Sequence, residues 1–300
     1  MRLEPLKLTK KENIKWNKPD HIPPQTAGIF TTILTCGARG SGKTTASLQL
    51  IQNIANTNFY NRWVVVSPTS SQDLKMVDVM EQIEADNKNE VKRYKDLTNE
   101  IMEEILNEQK DYIKMWREYN KVRELIEKYK IKGVKGLTDD ELEFLYPNLD
   151  DDFSELPNIH ELLNEYPIWI QRDTPPACYI VLDDCFHSKL LTTQRSPLIE
   201  AYTNGRHYYI SIHLIVQSLN QIPRSIRQNT LIYMMFGTRS SKDLRILYDE
   251  INNAFPNWET YLKSMEACNK ADDYSFLYVD ASSLKNPLVK CGFNKTINFT

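Results

Sequence analysis

A strand, a glycine turn, a lysine and a helix, in that order, leave this chain few architectures to choose from. Residues 37–44 read Gly37-Ala38-Arg39-Gly40-Ser41-Gly42-Lys43-Thr44, a complete G-x-x-x-x-G-K-[ST] run. Ahead of it, Ile29–Cys36 (IFTTILTC) is rich in β-branched residues and predicts a strand. Behind it, Thr44–Ala55 predicts a helix, and Trp63–Ser67 (WVVVS) a second short buried strand. A β-turn-α-β unit of this kind opens an α/β domain built on a parallel sheet. The glycines free the backbone N–H groups to turn inward around phosphate oxygens. The helix N-terminus adds the positive end of its dipole. The expected ligand is therefore the phosphate chain of ATP, cradled by Gly37, Ala38, Arg39, Gly40, Ser41, Gly42, Lys43, Thr44 and Thr45. In such loops the lysine, here Lys43, reaches the β- and γ-phosphates, and the hydroxyl of Thr44 is expected to hold Mg²⁺.

Further along, Cys178–Leu182 (CYIVL) predicts a buried strand that ends in Asp183 and Asp184. A carboxylate closing a buried strand needs a reason, and Asp183 is suited to Mg²⁺. Asp184, next to it, is placed to orient and deprotonate an attacking water, which points to hydrolysis rather than nucleotide storage. Tyr209–Val216 predicts a strand ending at Gln217. If that strand lies between the other two, its amide faces the γ-phosphate. Leu198–Asn204 and Ser241–Ile251 predict helices, Leu231–Phe236 a strand, and Tyr274–Val279 a last strand. Residues 1–28 are Lys- and Pro-rich and predict an extended arm. The reading divides the chain into that arm and an ATPase domain over 29–300, interrupted by an acidic helical insertion over 71–170.

Charge marks the insertion. Residues 71–166 carry 14 Lys+Arg against 25 Asp+Glu, a net of -11. The rest of the chain carries 23 against 15, a net of +8, so the overall -3 hides a basic body able to meet phosphates. Within the insertion Tyr112, Met115, Tyr119, Val122, Ile126 and Tyr129 follow heptad spacing and predict one long helix. Thr138 and Glu141 predict a capping box at the start of another, and Pro157–Tyr166 suggests a further short helix.

With 41% apolar and 26% charged residues, and no apolar run long enough to span a bilayer, an integral membrane protein is not expected. The start, MRLEPLKLTKK, has no apolar core and predicts no secretory signal. Five scattered cysteines without a C-x-x-C pair predict free thiols in a reducing, intracellular setting. The histidines form no metal-spaced pair, so zinc is not expected. Asn269-Lys270-Ala271-Asp272 matches the N-K-x-D run of GTPases, but no apolar strand precedes it and no Gly lies three residues beyond Asp183 or Asp184. A GTPase is therefore not expected.

Taken in order, GARGSGKTT, YIVLDDC, GRHYYIS, LIVQS and QIPRSIRQN resemble the DNA-packaging ATPases of nucleocytoplasmic large DNA viruses and virophages, within the FtsK/HerA group. The resemblance covers roughly residues 30–70 and 175–240 and leaves the insertion without a counterpart. It implies a mostly parallel sheet of order 5-1-4-3-2, an oligomeric ring of five or six subunits, and ATP-driven movement of double-stranded DNA into a preformed capsid. It implies a place in the virion or in a viral factory of the host cytoplasm, with capsid or membrane-vertex proteins as further partners. Lys43, Thr44, Asp183, Asp184 and Gln217 match family positions. Arg206 stands where FtsK-like motors carry an arginine finger, with Arg224 and Arg227 as competing fingers or DNA contacts. DNA contact is expected to be sequence-independent, since no base-reading motif is present. A DNA helicase or recombination-type ATPase on the same core, and a slow nucleotide-binding scaffold for capsid assembly, remain open on sequence grounds.

Overall fold

A strand buried along its whole length needs sheet on both sides and helices on both faces. β1 (Thr32–Cys36) is such a strand. In the computed structural model it pairs in parallel with β5 (Ile210–Val216) on one side and with β6 (Ile232–Phe236) on the other. The structure describes residues 30–68, 74–85, 89–147, 158–159, 161–185, 188, 190, 196–238, 240–271, 274–283 and 285–299. The arm expected over 1–28 lies outside the described residues.

The remaining strands are β2 (Arg62–Val66), β3 (Glu90–Tyr94), β4 (Cys178–Asp183), β7 (Phe276–Asp280), β8 (Leu288–Cys291) and β9 (Lys295–Thr296). The sheet has the order β3-β2-β4-β5-β1-β6-β7-β8-β9. The first six positions are parallel, and β7, β8 and β9 attach antiparallel beyond β6. Its central run β6-β1-β5-β4-β2 has the expected five-strand order. The full order differs, because β3 extends one edge and three strands extend the other. The strand expected to close the chain, β7, is followed by two more.

Alternate residues of the buried strands feed two cores, as a period of two requires. Leu34, Val64, Ile180 and Leu214 face one core, shared with α3 (Asn99–Lys132), α5 (Pro197–Asn204), α6 (Arg224–Gln228), α7 (Ser241–Ile251) and α8 (Trp258–Ala271). Ile33, Trp63, Val65 and Val181 face the other, covered by α1 (Lys43–Ala55) and α2 (Leu74–Ala85).

The stretch 71–170 differs from a purely helical insertion, since Glu90–Tyr94 lies in the main sheet beside β2. The expected heptad stripe lies on α3 and packs on this chain itself. Tyr119, Val122 and Ile126 are buried, against Ile170 and Tyr166 and against α4 (Asp139–Leu145). The Thr138–Glu141 capping box is present at the start of α4. The suggested helix near Tyr166 is a 3-10 turn over Glu161–Glu165.

A buried charge fixes α3 to the sheet edge. Arg62, fully buried, donates from Nε to Glu90 (3.1 Å), from Nη1 to the Ile105 carbonyl (3.0 Å) and from Nη2 to Glu108. Gln109, one residue on, donates to the carbonyls of Pro176 (2.7 Å) and Tyr208 (3.0 Å). Breaking such a buried pair from one side costs about 3–5 kcal/mol, so the edge has one stable docking for α3.

A second polar cluster lies under the glycine loop. His213 Nε2 is 2.8 Å from Thr35 Oγ1 of β1 and 3.3 Å from Ser47 Oγ of α1, and its Nδ1 is 3.2 Å from Tyr179 Oη of β4. Burial lowers the pKa of this imidazole to about 3, whereas in the unfolded chain it titrates near 6.5. Below pH 6.5 the unfolded chain therefore takes up a proton that the folded one refuses. The stability that the neutral imidazole supports is complete above pH 6.5 and is lost as pH falls toward 3. The slope from this group approaches about 1.4 kcal/mol per pH unit inside that window. Urea unfolding between pH 7 and 4.5 is expected to show this loss in the wild type and a shallower one in His213→Gln. Identical slopes would remove His213 as the cause.

Candidate functional site

The three buried strands β1, β5 and β4 are neighbours and run in the same direction, so their carboxyl ends share one edge of the sheet. Gly37 follows β1, Gln217 follows β5, and Asp183 ends β4 with Asp184 after it. The expected placement of the Gln217 strand between the other two is met.

The loop is held open by its backbone. Gly37 N–H donates to the Val216 carbonyl (3.3 Å) and Ser41 N–H to that of Ala38 (3.2 Å). Gly40 and Gly42 take φ of 76° and 91°, a region that L side chains enter at a cost of roughly 1–2 kcal/mol. Gly42 also has no room for a side chain, because a Cβ there would lie 2.6 Å from Tyr274 Cδ1. At Gly37 a Cβ would meet Phe236 Cβ at 2.6 Å. Gly42 is the N-cap of α1, which then carries Lys43, Thr44 and Thr45 in its first turn. No acidic side chain stands in that first turn, so nothing competes with a bound anion there.

Asp183 is 6% exposed, and its strand partner is Ile215. Asp184 turns the chain through a left-handed conformation (φ 52°), and its N–H donates to the Ile215 carbonyl at 3.3 Å. This turn brings its carboxylate to Gln217, whose Nε2 donates to Asp184 Oδ1 at 3.1 Å. A carboxylate gripped through one oxygen keeps the other for a proton or a water.

Two open clefts flank the loop. One, of about 960 Å³, takes in Ala38, Arg39, Ser41, Gln217 and Asp243. The other, of about 580 Å³, takes in Gly40, Gly42, Lys43, Thr44, Thr45 and Tyr274. The residues fit a triphosphate with a hard divalent cation. Ser41 Oγ is buried without a hydrogen-bond partner, the glycine cradle is one that any Cβ at position 42 would close, and Thr44 and Asp183 offer oxygen donors of the kind Mg²⁺ takes. Among the described residues no cluster of three or more His, Cys, Asp or Glu forms a self-contained metal cage. The cysteines at 36, 178, 185, 268 and 291 are free.

Arg206 is not at this edge. It is exposed in a 3-10 turn (Gly205–Tyr208) just before β5, at the opposite end of that strand from Gln217. Arg227 is not available for a partner, because its Nε donates to Glu250 at 3.1 Å and its Nη1 to the carbonyls of Leu219 (3.5 Å) and Ile222. The guanidinium is spent tying the end of α6 to α7 and to the loop after β5. Arg224 is exposed at the start of α6. Asn269 and Lys270, of the apparent guanine motif, lie in helix α8, while Asp272 lies outside the described residues.

Sequence reasoning missed Asp243. It is 2% exposed, accepts from Ser218 Oγ (3.0 Å) and from Asn220 N–H (3.0 Å), and so fixes the chain immediately after Gln217. Together with burial, it pushes the Cys36 thiol up to about 12. The only sequence signal was Ser240, the cap of α7, three residues ahead of it.

A protein-family model described as zonular occludens toxin (Zot) matches residues 131–239, a stretch that runs from the end of α3 past β6. Uncharacterized protein 075L of Invertebrate iridescent virus 6 is 27% identical over 111 residues, which are 37% of this chain and 42% of that protein. The chain thus spans less than half the length of this curated relative. Among solved structures, the genome packaging NTPase B204 from Sulfolobus turreted icosahedral virus 2 in complex with AMP is 13% identical, covering 88% of this chain and 98% of that one with a TM-score of 0.49. EssC (ATPases 2 and 3) from Geobacillus thermodenitrificans is 13% identical, covering 87% and 39%, with a TM-score of 0.46.

The geometry of the loop yields a graded expectation. Gly40→Ala meets only backbone strain, because a Cβ there has nothing within 4 Å. Gly42→Ala meets strain and the Tyr274 ring together. Gly42→Ala is expected to weaken ATP binding at least tenfold more than Gly40→Ala, measured by calorimetry. Equal losses would mean that the ring yields freely.

Proposed function

We propose that this chain is an ATP-hydrolysing motor that translocates double-stranded viral DNA into a preformed capsid. The observation that carries the enzymatic part is the meeting, on one sheet edge, of the glycine loop with a Gln217–Asp184 pair joined at 3.1 Å. The DNA part is supported by the five-segment resemblance, by a relative in an iridescent virus, and by the +8 balance outside residues 71–166.

In this reading the amides of Gly37–Thr45 bind and orient the triphosphate, and the Lys43 ammonium neutralises charge on its outer phosphates. Mg²⁺, when bound by Thr44 and Asp183 together with the substrate, polarises the terminal phosphoryl group and neutralises charge that develops on it. Asp184 accepts the proton of the attacking water at its second oxygen. Gln217, by gripping the first, holds that carboxylate in line and couples it to the end of β5. Asp243 steadies the chain after Gln217 through Ser218. The motor acts as a homo-oligomeric ring of five or six subunits in the virion or the viral factory, beside capsid or membrane-vertex proteins. Arg206, at the far end of β5, then serves a neighbouring subunit, and Arg224 lies free to meet DNA.

The test is ATP turnover and binding in the full chain, with and without duplex DNA. Lys43→Ala is expected to lose ATP binding. Asp184→Asn is expected to bind ATP but lose roughly 10²–10⁴ in turnover, because asparagine tolerates the left-handed turn yet accepts no proton. Duplex DNA of any sequence is expected to stimulate the wild type, with binding that falls steeply with salt. Turnover indifferent to DNA would favour a slow assembly scaffold, and separation of the strands would favour a helicase.

A further inference from the structure

Tyr274 is 64% exposed, an aromatic ring left open to water at the rim of the glycine loop. A single exposed ring is ordinary on a protein surface; the position of this one, against the glycine loop, is what gives it a use. It lies hard against the loop, since a Cβ placed on Gly42 would be 2.6 Å from its Cδ1, 3.0 Å from its Cβ and 3.1 Å from its Cγ. Tyr274 therefore forms one wall of the 580 Å³ cleft that begins at Gly42 and passes Thr44 and Thr45 toward Gln49, one turn further along α1. Phe276, on the strand that Tyr274 leads into, lies at the base of the same cleft.

The two clefts beside the loop differ in lining: Gln217 and Asp243 stand in one, and Lys43, Thr44, Thr45 and Tyr274 in the other. Gln217, which lines the first, grips Asp184 at 3.1 Å. A nucleotide whose outer phosphates lie between Lys43 and the Gln217–Asp184 pair sends its sugar and base out along the first turn of α1, past Thr45, and along Tyr274. We propose that Tyr274 is the stacking platform for the purine base of the bound nucleoside triphosphate, an inference that rests on reading Gly37–Thr45 as a nucleotide site. The ring offers its exposed face to the base and leaves its hydroxyl in water. Since every purine presents a similar π-face, the platform accepts adenine and guanine nearly alike.

The experiment measures binding of ATP, GTP and inorganic tripolyphosphate to the full chain by calorimetry. Tyr274→Ala is expected to weaken ATP and GTP alike, by roughly 5- to 100-fold, and to leave tripolyphosphate unchanged. Tyr274→Leu, which retains an apolar contact with Gly42, is expected to lose the same factor, while Tyr274→Trp keeps wild-type affinity. Melting temperatures of the variants are expected to match the wild type, as the side chain is mostly outside the core. Undiminished ATP affinity in Tyr274→Ala would overturn the proposal. So would equal losses for ATP and tripolyphosphate, which would place the effect on the loop rather than the base. A wild type that binds tripolyphosphate and ATP equally well also overturns it, without touching the phosphate site. A wild type that binds none of the three overturns the nucleotide reading and this one with it.

Discussion

The site depends on β1 being inserted between β5 and β6. A loop can present unpaired N–H groups to a ligand only if the rest of its backbone is satisfied and its ends cannot move. Here β1 pairs along its length on both sides, and the Gly37 N–H still reaches back to the Val216 carbonyl. The same insertion makes β5 the immediate neighbour of the loop, so that Gln217 emerges beside it and Asp184 one strand further. Under the sheet edge, His213 joins Thr35, Ser47 and Tyr179, one side chain from each of the elements that converge there. A neutral imidazole is suited to this task because it bonds in two directions without the cost of a buried charge.

The parts of the fold legible in the sequence were those whose residues solve a local problem. β4 is a short apolar run, and β1 and β5 interrupt theirs only with Thr, Ser and His, a composition that suits a doubly covered parallel sheet. The glycines at 40 and 42 announce positive φ, and Asp183 announces itself by ending an apolar run. β3 (EVKRY) was not legible, because an edge strand under a helix carries charges whose partners are remote. Lys92 pairs with Glu108 of α3, and Arg93 with Glu84 of α2. Arg62 misleads for the same reason, since an arginine before an apolar run reads as a solvated residue until Glu90, Glu108 and the Ile105 carbonyl close around it. Tyr274 and Gly42 are separated by most of the chain, and no periodicity links them. What the sequence conceals is pairing at a distance, where each residue type makes sense only beside the other.

The acidic stretch is thus less of an appendage than its composition implies. Part of it, β3, is a strand of the main sheet, and the start of α3 covers that sheet through Met102, Ile105 and Leu106. Among the described residues, the later turns of α3, with α4, Ile159 and the stretch 161–170, form cores of their own. A segment anchored through fully buried Arg62 and Gln109 moves as one body with the sheet edge.

The position of Arg206 constrains any assembly in which it acts on a nucleotide. β5 has seven residues, and over its six steps of about 3.3 Å its two ends are roughly 20 Å apart. Gln217 is at one end and Arg206 just before the other, so no side chain at Arg206 reaches the phosphates held by its own loop. An arginine acting from there must act on another subunit. That subunit would have to place its glycine loop near the amino-terminal edge of this sheet, where the 3-10 turn at Gly205–Tyr208 and the Gln109 contact to Tyr208 stiffen the backbone. Such a contact joins the amino-terminal edge of one sheet to the carboxyl-terminal edge of another. A ring meets this condition once at every interface, whereas a two-fold dimer meets it only if both edges of each sheet lie within the shared patch.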